Sequence, residues 1–137
     1  MRNTIFVDTA AWIALVNKDD EFHLEAVALH QKFMIQNYPL LTTDYVLTEL
    51  ANGLSKGYMR KATIKLIEKI KASDRCEVIH VDKSLFEKGW EIYKTYQDKE
   101  WSLTDCISFI VMRERGFREA FTSDHHFEQA GFIRLLG

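Results

Sequence analysis

Thr4-Ile5-Phe6-Val7-Asp8-Thr9-Ala10-Ala11-Trp12-Ile13-Ala14-Leu15-Val16 is the stretch that decides the fold. Residues 4–7 form a short β-rich apolar run, and residues 9–16 then read as a helix. A single carboxylate, Asp8, stands at the junction. The same alternation recurs downstream. After a polar loop at 18–21, Leu24, Val27, Ala28, Phe33 and Met34 line one side of an amphipathic helix over 22–35. Pro39 ends that unit, and 40–43 is a second strand. Asp44 is expected to N-cap a helix over 45–54 that Gly53 or Gly57 stops. A further amphipathic helix covers 60–72, with Ala62, Leu66, Ile67 and Ile70 in phase. Residues 77–81 form a β-branched strand and 84–97 a helix. The most apolar helix covers 103–115, and Gly116 is placed to end it. A fourth strand at 119–123, a short helical piece at 125–129 and an edge strand at 132–136 complete the chain.

Strands separated by helical units imply parallel crossovers, hence a three-layer α/β/α fold around a central, mainly parallel sheet of four to five strands. Its 137 residues make one domain, 1–137, with no internal repeat and a single proline. A net charge of −2 argues against a protein that coats nucleic acid by bulk attraction, while leaving room for nucleic acid as a substrate. Cys76 and Cys106 follow no metal-ligand spacing and point to a reducing compartment. No apolar run approaches the ~20 residues of a membrane span, and no leader precedes the first strand, so the chain reads as cytoplasmic.

Four acids fall at the edges of this α/β core: Asp8, Glu49, Asp105 and Asp124. Each alone has a bland explanation. Asp8 and Asp124 are good helix caps, Ser102-x-x-Asp105 has the form of a capping box, and Glu49 is compatible with a solvent-facing position. In open parallel sheets, however, functional groups gather beyond the carboxyl ends of the strands, where all four can meet. Carboxylates rarely stay buried unless they pair or hold a cation. A cluster of four suits Mg²⁺ or Mn²⁺, which take oxygen ligands and, with activated water, hydrolyse phosphodiesters. Thr9 and Thr104 flank Asp8 and Asp105 as hydroxyls able to orient ligand oxygens or to cap helices.

The segments Val7-Asp8-Thr9, Thr48-Glu49-Leu50, Ser102-Leu103-Thr104-Asp105-Cys106 and Thr122-Ser123-Asp124-His125-His126-Phe127 resemble the motifs of PIN-domain ribonucleases. The likeness is nearest to toxins of the virulence-associated protein C (VapC) type in type II toxin–antitoxin pairs, and spans essentially the whole chain. It implies an acidic pocket for Mg²⁺ or Mn²⁺, RNA as substrate, a homodimer and a small antitoxin partner. It assigns Asp8, Glu49 and Asp105 as the main acids and Asp124 as completing the site, with Asp98 a candidate accessory acid or simply a loop charge. In that family the middle helices support dimerisation and antitoxin docking.

Other residues carry less. His125 and His126 lack further zinc-type ligands and read as loop or helix-start residues, and Cys106 reads as core. Lys56, Arg60, Lys61 and Lys65 are compatible with phosphate contacts or a solvated face. Trp12 and Trp90 default to packing, whereas Trp101, in the loop before Asp105, carries more functional weight. Competing functions are a stand-alone PIN nuclease in RNA processing, a PIN-like module that binds RNA or protein without cutting, and a phosphotransfer domain with Asp8 as nucleophile. The last is disfavoured by Ala10, where haloacid-dehalogenase phosphatases usually need a second acid.

Overall fold

The computed structural model describes residues 3–137. Along the chain run β1 (Ile5–Val7), α1 (Thr9–Val16), α2 (His23–Ile35), β2 (Leu40–Thr43), α3 (Asp44–Gly53), α4 (Gly57–Ala72), β3 (Cys76–Ile79), α5 (Lys83–Thr95), α6 (Leu103–Arg115), β4 (Glu119–Phe121), α7 (His126–Gln129) and β5 (Ile133–Arg134). Every element expected from the sequence is present, with ends displaced by a few residues.

The five strands form one sheet in the order β3-β2-β1-β4-β5, and every pair is parallel. From β1 the chain steps outward to β2 and β3. It then returns across the sheet to β4 and β5 on the other side of β1. Because parallel crossovers are right-handed, the outward steps place α1–α4 on one face, and the return places α5–α7 on the other. The helix contacts agree: α1 touches α2, α3 and α4, while α6 touches α5 and α7. The direction of winding therefore reverses between β1 and β4, and a crevice opens there beyond their carboxyl ends. Asp8 leaves β1 at that crevice, and Thr122 leaves β4 beside it.

Aromatic residues fill the interior on both sides of the sheet. Phe6, Trp12, Phe109, Phe121 and Phe127 are fully buried. Phe33 meets Phe121 edge-on at 5.3 Å, and Phe109 meets Phe127 in the same way at 5.0 Å. The α6 helix is buried almost throughout, from Asp105 to Phe109 and again at Val111 and Met112. It approaches α5 closely at Gly89, where an added Cβ would lie 2.5 Å from Ile107 Cγ1 and 3.2 Å from its Cα. Gly116 ends α6 in the left-handed region at φ 73°, as its position after Arg115 implied. Both cysteines are buried and unbridged.

One cap differs from expectation. Thr43, not Asp44, is the N-cap of α3: its hydroxyl accepts from the Val46 N–H at 3.1 Å. Asp44 is already helical, and its carboxylate turns to the exit of the neighbouring strand. There it accepts from the Val81 N–H at 3.0 Å and meets His80 Nδ1 at 2.6 Å. Tertiary proximity of β3 to β2 supplies partners that a local reading of the helix start does not contain.

Candidate active site

Asp8 follows β1 at the N-cap position of α1, yet its side chain makes no capping hydrogen bond. The carboxylate instead turns across the sheet to β4, where Thr122 Oγ1 donates to Asp8 Oδ2 at 2.8 Å. Asp8 is 3% exposed. Asp105 sits in the first turn of α6, and here the capping-box expectation is met. Ser102 Oγ accepts from the Asp105 N–H at 3.0 Å, and the Ser102 N–H donates to Asp105 Oδ2 at 3.2 Å. Asp124 follows β4, and its Oδ1 accepts from the His126 N–H at 2.9 Å, which fixes the start of α7.

Carboxylate oxygens of Asp8, Asp105 and Asp124 all lie within 4.8 Å of one another. Glu49 stands outside this trio. It projects from α3, and Thr9 Oγ1 donates to its Oε1 at 2.5 Å. Asp98, seven residues before Asp105, is an exposed loop acid paired with Lys99 at 3.3 Å. The two flanking threonines separate in role. Thr9 anchors Glu49, whereas the Thr104 hydroxyl makes no hydrogen bond to any of the four acids among the described residues, and Thr104 lines a cleft beside Glu49.

The electrostatics of the trio favour a positively charged partner. Burial, with Asp105 next in weight, pushes the Asp8 carboxyl up to about 7 against the hydrogen bond from Thr122. Burial and the neighbouring Asp124 also raise Asp105, partly offset by its contacts with His126 and Ser102. Among the described residues, neither Asp8 nor Asp105 pairs with a lysine or arginine. Two buried carboxylates placed like Asp8 and Asp105 resist joint ionisation unless a positive charge joins them. Three or four oxygen donors of this kind fit a hard divalent ion.

Two residues of the site escaped the sequence reading. Thr122 has a signal only in its place at a strand end, because its partner Asp8 is 114 positions away. His126, read as a helix-start residue, does begin α7, but its Nδ1 also lies 3.1 Å from Asp105 Oδ2 and 3.3 Å from Asp124 Oδ1. It thus bridges two acids of the trio, while His125 is exposed. Trp101 shows the opposite outcome. It is buried, its ring packs edge-on against Phe109, and its indole N–H donates to Gln129 Oε1 at 2.9 Å. The functional weight that its place before Asp105 suggests is not supported, because α6 and α7 enclose the ring.

Compared with known proteins, the chain matches the family model described as "PIN domain" over residues 5–133. It is 33% identical over 131 residues to the 23S rRNA-specific endonuclease VapC20 of Mycobacterium tuberculosis, covering 96% of this chain and 97% of that relative. The crystal structure of M. tuberculosis VapC20, described as a sarcin-ricin loop cleaving toxin, superposes with a TM-score of 0.84 at 31% identity, covering 97% of this chain and 99% of that one. VapBC2 from Rickettsia felis, solved on a DNA fragment from their promoter, gives a TM-score of 0.68 at 14% identity over 98% and 99% of the two chains, a likeness of fold.

Proposed function

Since this chain belongs to the PIN domain family, we propose that it is a metal-dependent endoribonuclease that acts as the toxin of a type II toxin–antitoxin pair. What supports this reading above all is the trio Asp8, Asp105 and Asp124, gathered within 4.8 Å at the crevice between β1 and β4 with no lysine or arginine partner for Asp8 or Asp105 among the described residues.

Asp8, Asp105 and Asp124 are the residues that would hold Mg²⁺ or Mn²⁺, with Glu49 approaching from α3. Such an ion supplies a counter-charge for the scissile phosphate and lowers the pKa of the attacking water. The remaining work belongs to the protein. Thr122 fixes the orientation of Asp8, the Ser102 backbone and His126 fix Asp105, and Thr9 fixes Glu49. Carboxylates held in this way keep their geometry when charge builds up on the phosphate. With water attacking phosphorus in line and the 3′ oxygen departing as the leaving group, the course that the family resemblance suggests, the products would carry 5′-phosphate and 3′-hydroxyl ends.

The relatives guide the choice of substrate and partner. VapC20 is named for cleavage of 23S rRNA, so ribosomal RNA is the first substrate to test here. A small antitoxin and a second copy of this chain are the proposed protein partners. Leu24, Ile35, Tyr58 and Ile64, all exposed on α2 and α4, are the apolar residues available to them. No helix among the described residues is long and apolar enough to cross a membrane; the cytoplasm is the compartment proposed here, because ribosomal RNA is the proposed substrate.

The test is cleavage of 23S rRNA and of total RNA by the purified protein with Mg²⁺ or Mn²⁺. Activity should disappear in EDTA and in Asp8→Asn, while circular dichroism shows the variant folded. Undiminished cleavage in excess EDTA would overturn the reading.

A further inference from the structure

A second cleft adjoins the carboxylates. It has a volume of about 300 Å³ and is lined by Tyr45, Thr48, Glu49, Asn52 and Thr104. Two of these residues tie it to the proposed reaction centre. Glu49 is held by Thr9, the neighbour of Asp8, and Thr104 directly precedes Asp105. The other three come from one helix. Tyr45, Thr48 and Asn52 are spaced i, i+3 and i+7 along α3, a spacing that stacks side chains on one face.

The chemistry of this lining is unusual for a surface hollow beside an acidic site. Among the described residues, its lining has no basic side chain that would take a phosphate. Instead it offers one aromatic ring and one primary amide. The Tyr45 ring is half-buried and braced edge-on by Phe86 at 6.4 Å, so its position is set by packing. Asn52 is exposed, and among the described residues its amide has no hydrogen-bond partner, which leaves two donors and an acceptor available. The Thr48 hydroxyl is already engaged with the Asp44 carbonyl at 2.8 Å. A flat ring for stacking with an adjacent free amide is what unpaired nucleobases require: the ring contacts the π-face and the amide meets the base edge.

Resting on the ribonuclease reading above, we propose that this cleft receives an unpaired nucleobase next to the scissile phosphate, with Tyr45 stacking on it and Asn52 reading its edge. The cleft would then set which nucleotide lies beside the cut, while the carboxylates act on a backbone that carries no sequence information. Selection of a single-stranded or looped segment follows, because a base paired in a helix cannot enter a pocket of this kind.

The test compares wild type, Asn52→Ala, Tyr45→Leu and Tyr45→Phe in two measurements. In the first, an RNA library with random positions is cleaved in Mn²⁺ and the cut ends are sequenced. Asn52→Ala should flatten the preference at one position next to the cut by ~10-fold, the scale of one bidentate amide–base contact. Tyr45→Leu should raise KM with little change in which base is preferred, and Tyr45→Phe should behave as wild type because it keeps the ring. In the second, binding of the same library is selected in EDTA, without cleavage. Cleavage with an unchanged base profile in Asn52→Ala and an unchanged KM in Tyr45→Leu would overturn the cleft and leave the nuclease reading standing. Absence of cleavage, with binding preferences that still depend on Asn52 and Tyr45, would overturn the nuclease reading and support the cleft. Neither cleavage nor Asn52-dependent binding would overturn both.

Discussion

Thr122 Oγ1 donates to Asp8 Oδ2 at 2.8 Å and, through the same oxygen, accepts from the Asp124 N–H at 3.0 Å. One fully buried hydroxyl therefore sets the relation between two acids that enter the site from different strands. It is possible because β1 and β4 are parallel neighbours, with Val7 in register with Phe121, so the residues that follow each strand emerge side by side.

Thr122→Val keeps the shape of this side chain and removes both hydrogen bonds. Leaving the buried Asp8 oxygen without its donor should destabilise the fold by about 1–3 kcal/mol in urea unfolding. The same change should raise the Asp8 carboxyl further, since the Thr122 bond acts to lower it. Mn²⁺ affinity, read by calorimetry, should fall by ~10–100-fold, as is typical when a residue supporting a metal ligand is lost. A variant with wild-type affinity would show that Thr122 does not position Asp8.

Asp8→Asn should stabilise the metal-free protein at pH 8 even as it removes activity. In the unfolded chain Asp8 loses its proton near 3.8, whereas in the folded protein it keeps it to about 7. Between these values the folded state binds the extra proton. Its contribution to stability is therefore complete below pH ~4 and is lost as pH rises through 7. Asparagine has no proton to lose and can still accept from Thr122. At pH 8 the variant should gain on the order of a few kcal/mol, shrinking to nothing by pH 4. Equal melting temperatures of the two proteins at pH 8, in EDTA, would contradict the raised carboxyl.

Metal binding should carry the same signature. A cation displaces the proton of Asp8, so Mn²⁺ affinity should climb between pH 5.5 and pH 7 and level off above it. Titrations at pH 6 in buffers of different ionisation enthalpy should report a proton released on binding. A flat affinity profile across that range would place the metal elsewhere.

Packing of α5 on α6 gives a prediction independent of chemistry. Gly89→Ala places a methyl group 2.5 Å from Ile107 Cγ1 and 3.2 Å from the Ile107 backbone. The side chain can rotate away, but the backbone of a buried helix yields less, and about 1–3 kcal/mol of stability should be lost. Because α6 carries Asp105, activity should fall with it. Thermal unfolding of the variant checks the first, and cleavage of RNA at 20 °C the second.

Most of the secondary structure was legible because its signals are local. The run 4–7, the periodicity of 60–72 and Gly116 after an apolar helix each predict their element without reference to the rest of the chain. Asp44 shows where such reading stops. Its neighbours alone predict that it caps α3, but partners from the exit of β3 claim its carboxylate, and Thr43 takes the cap. His126 and Trp101 err in opposite directions for one reason. The first gains Asp105 as a partner from 21 positions away, and the second is covered by Phe109 and Gln129.

By itself, then, the chain's sequence determined an α/β alternation, the identity of its four motif acids and the resemblance those motifs carry, since each depends on residue type and short-range spacing. Tertiary structure alone decided that Asp8, Asp105 and Asp124 form the tight trio while Glu49 stands beside them on Thr9. It also decided that Asp98 remains in solvent, and that Tyr45 and Asn52 open a cleft next to the acids. The physical reason is the reversal of winding between β1 and β4. It brings together groups more than a hundred residues apart, and no local pattern records which side chains will face one another across that crevice.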